Sequence, residues 1–201
     1  MNFLAHSYIS FTDEQIVGQF LQDFIRNKDR FSFPPGIVEG ILLHREIDTF
    51  TDVHPEIHEA KKVFSPLVRL YSGAFVDVAF DYFLANSLQD IALMHHSERV
   101  YKVLRNNMNL FPPTFHRMLE GMERDNWLYH YREDQGIHFS FRNVLNKAKY
   151  LDKNLAVFEV FLSNKDQLEY HFKNFFPDLM AHAVDFNNQF RIPYRGSGPD
   201  S

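Results

Sequence analysis

One segment of this chain carries a histidine and an aspartate at a spacing that suits metal chemistry. His44 and Asp48 stand four apart in GILLHREID, after a helix start marked by Pro34 and Pro35. Four residues is slightly more than one helical turn, so the imidazole and the carboxylate project from the same face. A structural ion pair uses the same spacing. The apolar neighbours favour a functional pair, because polar groups on an apolar helix are costly to bury unless something satisfies them.

Three other groups place polar side chains in apolar settings. Gln19 and Asp23 lie four apart in GQFLQDF, and His6 stands in FLAH. Asp77 and Asp81 lie four apart in DVAFDYFL, where two ionised carboxylates on one helical turn repel each other. A divalent cation relieves that repulsion, and oxygen with imidazole suits manganese, magnesium, iron or zinc. The aspartates would equally suit a partly exposed helix face, and a lone histidine is more often a core residue. Together the groups favour a metal site.

The remaining histidines carry a weaker signal. His54 and His58 flank Pro55 and could be ligands, but an exposed helix start is the favoured interpretation. His54 is close enough in sequence to Asp48 and Asp52 to belong to the rim of the site. The others lie near a helix end or have no acidic motif beside them. We interpret these seven as structural: His95, His96, His116, His130, His138, His171 and His182.

Composition limits the kind of protein this can be. The 201 residues suit one domain, and 22 Phe with 9 Tyr predict an aromatic-rich core. The absence of Cys excludes disulfides and thiolate nucleophiles and is usual in a reducing compartment, so we expect a cytoplasmic protein. MNFLAHSYISF lacks signal-peptide features, and we expect no membrane span, which needs roughly 18 apolar residues. The net charge of −5 argues against nucleic acid as a partner.

The elements that must position these residues are helices. Apolar residues recur at helical spacing through most of the chain, and alternating strand patterns are scarce. We therefore predict an all-α fold, with one helical catalytic domain over residues 1–192 and a loose C-terminal tail over 193–201. The predicted helices cover 14–27, 35–51, 55–64, 68–88, 97–109, 113–132, 137–147, 151–163 and 165–185.

The N-terminal motifs resemble those of a known family. MNFLAH at 1–6, GQFLQDFIRN at 18–27, FPPGIVEGILLHREIDTFTD at 33–52 and DVAFDYFLAN at 77–86 are similar to motifs of the acyl carrier protein phosphodiesterases. That family is a divergent branch of the His-Asp metal-dependent phosphohydrolases. The resemblance implies a helical bundle like the His-Asp phosphohydrolase fold. It also implies hydrolysis of the phosphodiester that joins 4'-phosphopantetheine to a serine of holo acyl carrier protein, which would be the substrate and partner.

The resemblance further implies a cofactor and a set of site residues. The cofactor would be manganese or magnesium, and Asp23, His44 and Asp48 would be catalytic. His44 and Asp48 depart from the usual superfamily signature, in which His and Asp are adjacent, so individual ligand roles stay open. The positions that fall on polar residues of the family motifs, and that we predict as metal ligands, are His6, Asp23, His44, Asp48, Asp77 and Asp81.

Basic side chains close to these motifs are candidates for binding the substrate. Arg45, predicted as a catalytic residue, or Arg26 could hold a phosphate oxygen, although either would equally suit a surface position. Carrier proteins are acidic helical bundles, so an acidic enzyme must dock them through a local basic surface. Arg26, Lys28 and Arg30 are the candidates nearest the site motifs, although the same run would suit a solvated loop.

Two other functions remain open from the sequence. A phosphohydrolase of a small nucleotide or other phosphate would use the same metal site and would turn over free nucleotides. A non-enzymatic helical binding protein would instead hold its acidic pairs in buried networks, and it would purify without a stoichiometric metal. Signatures of phosphate loops, dinucleotide-binding turns, zinc-protease helices and serine-hydrolase elbows are absent.

Overall fold

The structure, a computed structural model, describes residues 2–190, so the tail predicted over 193–201 lies outside the described residues. Within that range the chain forms helices and no strand, which confirms the all-α prediction. Short 3-10 turns occupy Gln22–Phe24, Asn27–Ser32, Arg69–Tyr71 and Met108–Leu110. The α-helices are α1 (Phe3–Tyr8), α2 (Asp13–Leu21), α3 (Pro35–Val53), α4 (Pro55–Val68), α5 (Ser72–Ser87), α6 (Asp90–Asn106), α7 (Pro113–Arg124), α8 (Trp127–His130), α9 (Asp134–Lys147), α10 (Val157–Ser163) and α11 (Lys165–Gln189).

Several helices begin where local chemistry favours a helix start. Pro35, Pro55 and Pro113 each occupy the first helical position, where the missing N–H costs nothing and the fixed φ is already helical. The side chain of Thr12 caps α2 by accepting a hydrogen bond from the Gln15 N–H. These signals explain why the beginnings of α3, α4 and α7 match the predicted boundaries.

Other boundaries differ from the prediction. The predicted helix 14–27 ends early, because Ile25 adopts an extended conformation and the chain continues as 3-10 turns. The predicted helix 113–132 breaks at Asn126, whose φ is 40°. Helix α1 was not predicted, since its six residues are too few to show a period. The first half of α6 was also missed.

One apolar stretch, Pro55–Ser87, is long and apolar enough to cross a membrane by length and composition alone. In the fold this stretch forms α4 and α5, which are separated by the 3-10 turn Arg69–Tyr71 and pack against each other. Arg69 has a φ of 50° at the end of α4. The buried rings of Phe64 and Phe75 lie 5.9 Å apart across the two helices. These apolar side chains belong to the helical core.

Helices α2 and α3 cross closely because each has a glycine at the contact. A Cβ atom on Gly18 would lie 2.2 Å from the carbonyl oxygen of Ile37, and one on Gly40 would lie 2.3 Å from that of Gln15. Atoms cannot approach so closely, so neither position accepts a larger residue without moving a helix. The crossing therefore brings the residues after Gly18 against the face of α3 that carries His44.

Candidate active site

A cleft of about 320 Å³ opens between α1, α2, α3, α4 and α5. Its lining combines imidazole, carboxylate, amide and ammonium groups with a few apolar side chains. Although they are separated by up to seventy residues in the sequence, five of the six residues predicted as metal ligands line this cleft: His6, Asp23, His44, Asp48 and Asp77.

Two buried imidazoles are held at the back of the cleft by a single glutamine. His6 Nδ1 donates to the side-chain oxygen of Gln19 at 2.8 Å, and His44 Nδ1 donates to the backbone oxygen of Gln19 at 2.8 Å. A carbonyl oxygen can only accept, so the proton of each ring is on Nδ1. Both Nε2 lone pairs are therefore available to a ligand, and they point toward the same part of the cleft.

The carboxylate of Asp48 faces both lone pairs. Its Oδ1 lies 3.3 Å from His6 Nε2, and its Oδ2 lies 3.2 Å from His44 Nε2. Asp23 adds a second carboxylate, with Oδ1 3.7 Å from His44 Nε2. One donor atom from each of His6, His44 and Asp48 lies within 4.8 Å of the other two. Electron-pair donors brought this close, with their protons directed elsewhere, fit a divalent metal ion that accepts from all of them.

The protonation states of these groups follow from burial and mutual proximity. Burial, followed by the nearby His44, lowers the pKa of His6 to about 4, so His6 is neutral near pH 7, as a metal ligand must be. Burial raises the pKa of Asp23, against the opposing effect of His44, and the negative charge of Asp48 raises it further.

Asp81, the second aspartate of the pair on α5, lies outside the cleft lining. Its two oxygens accept hydrogen bonds from the backbone N–H groups of Leu4, at 2.9 Å, and Ala5, at 3.0 Å. The side chain is fully buried, and burial raises its pKa to about 7 although both N–H donors act in the opposite direction. Asp81 therefore caps the helix that carries His6 and is not part of the cleft lining, whereas Asp77 is.

The two arginines predicted to hold a phosphate lie outside the lining of the cleft. Arg26 Nε donates to Asp29 at 2.8 Å, and the Arg45 guanidinium donates to the side-chain oxygen of Asn27. Of the Lys and Arg side chains in the described part of the chain, Lys61 lines the cleft; it is 28% exposed, and its Nζ lies 3.6 Å from Asp52 Oδ1. The roles predicted for Arg45 and Arg26 in phosphate binding stay predictions.

The basic run predicted to bind the substrate forms an exposed turn that follows Asp23 in the chain. Arg26 precedes the 3-10 turn Asn27–Ser32, which contains Lys28 and Arg30. The Arg30 guanidinium lies 4.6 Å from the ring centre of Phe31, an aromatic side chain that is 64% exposed. A basic and aromatic surface therefore stands close in sequence to a carboxylate of the cleft.

Histidines interpreted as structural have partners away from the cleft. His116 Nε2 donates to backbone oxygens of Met108 and Phe111, and His182 lies 2.7 Å from Glu46. His54, interpreted from the sequence as part of a helix start, accepts a hydrogen bond from the Glu56 N–H in the first turn of α4.

Polar residues of the cleft outside the predicted catalytic and ligand sets include Gln19, Lys61 and Asn2. The sequence grouped Gln19 with Asp23 by their four-residue spacing but gave Gln19 no ligand or catalytic role. Lys61 and Asn2 offered no such signal. Lys62, next to Lys61 in the sequence, points to the surface and pairs with Glu59 at 2.6 Å.

Comparison with known proteins gives a consistent family. The chain matches the sequence model of a family described as acyl carrier protein phosphodiesterase over residues 1–179. A curated protein with that name from Enterobacter sp. (strain 638) is 31% identical over 193 residues, which cover 91% of this chain and 97% of that protein. Its namesake from Salmonella agona (strain SL483) is 30% identical over 193 residues, covering 92% and 98%. No solved structure matches, so the resemblance to the His-Asp phosphohydrolase fold stays a prediction.

Proposed function

Because the chain belongs to the acyl carrier protein phosphodiesterase family, we propose that it hydrolyses the phosphodiester between 4'-phosphopantetheine and a serine of holo acyl carrier protein. The products are 4'-phosphopantetheine and apo carrier protein. The observation that carries the proposal is the convergence of His6, His44 and Asp48 on one point of the cleft. Family membership also argues against a purely structural helical protein.

We further infer that the reaction depends on a divalent metal ion, manganese or magnesium. His6 Nε2, His44 Nε2 and the Asp48 carboxylate would hold it, and Asp23 is near enough to contribute a fourth ligand. When bound, the ion would neutralise charge on the phosphate and make water more acidic. Gln19 supports this role because it fixes the orientation and the protonation of both imidazoles.

The other polar groups of the cleft act on the substrate. Where Asp23 stays outside the ligand set, its carboxylate lies beside the proposed metal site and is suited to accept the proton of the attacking water. Lys61 supplies a positive charge that can hold a phosphate oxygen and offset the charge that builds up during hydrolysis. Asp77 lines the same cleft from α5.

The exposed turn with Arg26, Lys28 and Arg30 is our proposed docking surface for the carrier protein. The net charge of this chain is −5, and an acidic partner would otherwise be repelled. The turn follows Asp23 within a few residues, so a carrier protein bound there would have its modified serine near the cleft. We also propose a cytoplasmic location, based on the absence of Cys.

The proposal is tested by following the intact mass of holo acyl carrier protein. We expect the wild-type protein with manganese to remove the mass of the arm, and His44→Ala to be slower by orders of magnitude. His138→Ala, which replaces an exposed histidine away from the cleft, should retain the wild-type rate. Carrier protein that keeps its arm, together with rapid turnover of free nucleotides, would replace the proposed substrate with a small phosphate.

A further inference from the structure

A second cavity, of about 460 Å³, adjoins the catalytic cleft. The two share Asn2, Phe3 and Asp77 in their linings, so they meet at this boundary. From there the second cavity extends away from the metal-binding groups, along α5 and toward α7, α8 and α9.

The walls of this second cavity are mostly apolar. They include Met118, Trp127, Phe139 and Val144, and the rings of Trp127 and Phe139 pack edge to face with centres 6.0 Å apart. Phe139 is 48% exposed. Apolar side chains that stay partly exposed around one concave surface are typical of a ligand-binding site.

Polar groups lie at the boundary and along one wall of the second cavity. At the boundary Asn2 Nδ2 donates to the Tyr131 hydroxyl at 3.1 Å. The wall also contains the side-chain amide of Asn143. Lys147 lies on the same lining, and its charge acts on the Asp23 carboxylate of the cleft. The cavity therefore carries charged groups, Lys147 and Asp77, toward the cleft and is apolar farther away.

We propose that the second cavity binds the pantetheine arm of the substrate, with the phosphate in the cleft and the thiol end against the rings of Trp127 and Phe139. This inference rests on the proposed function. A phosphodiester in the cleft carries two substituents, and one of them is a folded carrier protein, which must stay outside. The other is a slender arm with amide groups and a mostly apolar chain. Its amide groups can form hydrogen bonds with the side chain of Asn143, and its apolar chain can pack against the apolar walls.

The cavity can be filled by a single substitution that leaves the core untouched. Ala74 lines it from α5 and is exposed, so Ala74→Phe places a ring in the cavity without replacing a buried side chain. The matched control is Ala92→Phe, the same change at an exposed position of α6. We expect Ala74→Phe to lower kcat/KM for arm release from holo acyl carrier protein at least tenfold, and Ala92→Phe to stay within twofold of wild type.

A binding measurement separates this inference from the proposed function. Trp127 is the one tryptophan of the sequence, so its fluorescence reports directly on the cavity. Titration with 4'-phosphopantetheine should give a saturable change, with half-saturation shifted at least tenfold upward in Ala74→Phe. Phe139→Ala, which removes a partly exposed wall residue, should shift the half-saturation concentration in the same direction. This second variant tests the inference even if Ala74→Phe does not fold.

The outcomes are distinct. A wild-type protein that releases no arm contradicts the proposed function, and the titration alone then decides the inference. Equal kcat/KM for wild type, Ala74→Phe and Ala92→Phe would overturn the inference while leaving the proposed function standing. An unchanged half-saturation in both Ala74→Phe and Phe139→Ala would overturn it as well.

Discussion

The imidazole rings of His6 and His44 stack in parallel, with centres 3.9 Å apart and planes inclined by 8°. They come from different helices, and each is held through Nδ1 by a different oxygen of Gln19. Two protonated rings could not stack this closely without strong repulsion. The stack therefore suits a neutral pair whose Nε2 atoms bind a common cation.

The side chain of Gln19 should tune metal affinity. Gln19→Leu removes the hydrogen bond to His6 but keeps the backbone oxygen that orients His44, so metal binding should weaken without being lost. We expect the dissociation constant for manganese, measured by titration calorimetry, to rise roughly 10- to 100-fold. Gln167→Leu, at an exposed position of α11, is the control. Equal affinities in both variants would show that Gln19 does not support the ligands.

The glycine crossing of α2 and α3 should be intolerant of a methyl group. Gly18→Ala and Gly40→Ala should each lower the free energy of unfolding by roughly 1–3 kcal/mol, because a Cβ would overlap backbone atoms of the other helix. Gly121→Ala in α7 meets its nearest atom at 3.6 Å and should be neutral or stabilising, by up to roughly 1 kcal/mol. Urea denaturation gives the free energy of unfolding of all three variants. Equal values for the two crossing variants and Gly121→Ala would contradict the close packing of α2 and α3.

His96 should make the stability of the metal-free protein depend on pH. Burial, with a smaller effect of Arg99, lowers the pKa of His96 to about 4, while the unfolded chain binds this proton near pH 6.5. Since the unfolded state binds more protons between these values, the free energy of unfolding must fall as the pH falls from about 6.5 to about 4.

The variant His96→Gln isolates this contribution, because the similar effect of His6 is the same in both proteins. Over that window the wild-type free energy of unfolding should fall more steeply than that of the variant, by up to about 1.4 kcal/mol per pH unit. Urea denaturation across the pH range provides the comparison. Identical slopes would mean that His96 titrates normally in the folded state.

The basic turn should determine the affinity for the carrier protein more than the chemical step. Reversing the charges of Arg26, Lys28 and Arg30 to Glu should raise KM for holo acyl carrier protein about tenfold or more at low salt, with a much smaller change in kcat. The variant should also respond less to added salt than wild type does, because its docking no longer depends on opposite charges.

The control for this experiment reverses three exposed basic residues elsewhere, Lys102, Arg142 and Lys149. Both triple variants change the net charge equally, so any difference between them reflects the location of the charges. If the two variants show the same KM, docking depends on net charge and the proposed surface is wrong.

Helical spacing predicted much of the site because it fixes which residues share a face. His44 and Asp48 project together from α3, and Asp48 lies 3.2 Å from His44 as a result. Spacing does not indicate which other element packs against that face. Asp77 and Asp81 follow the same rule on α5, yet Asp77 lines the cleft and Asp81 binds the N–H groups of a helix that was not predicted.

The roles of basic side chains near the motifs were harder to predict, because the partner of a long side chain depends on which helices pack around it. Arg45 is adjacent to His44 in the sequence, but adjacent positions on a helix point about 100° apart, and Arg45 binds Asn27. Lys61 reaches the cleft only because α4 packs beside α3. Nothing in the local sequence distinguishes Lys61 from Lys62.

The central claim, that arm release depends on a metal ion held by the two histidines and Asp48, has one direct test. Wild-type protein is stripped with EDTA, dialysed and incubated with holo acyl carrier protein, and the intact mass of the carrier protein is followed before and after manganese is restored. We predict that the stripped protein leaves the arm in place and that manganese, or magnesium, restores its release. Release of the arm by the stripped protein at the rate of the metal-loaded protein would contradict the claim.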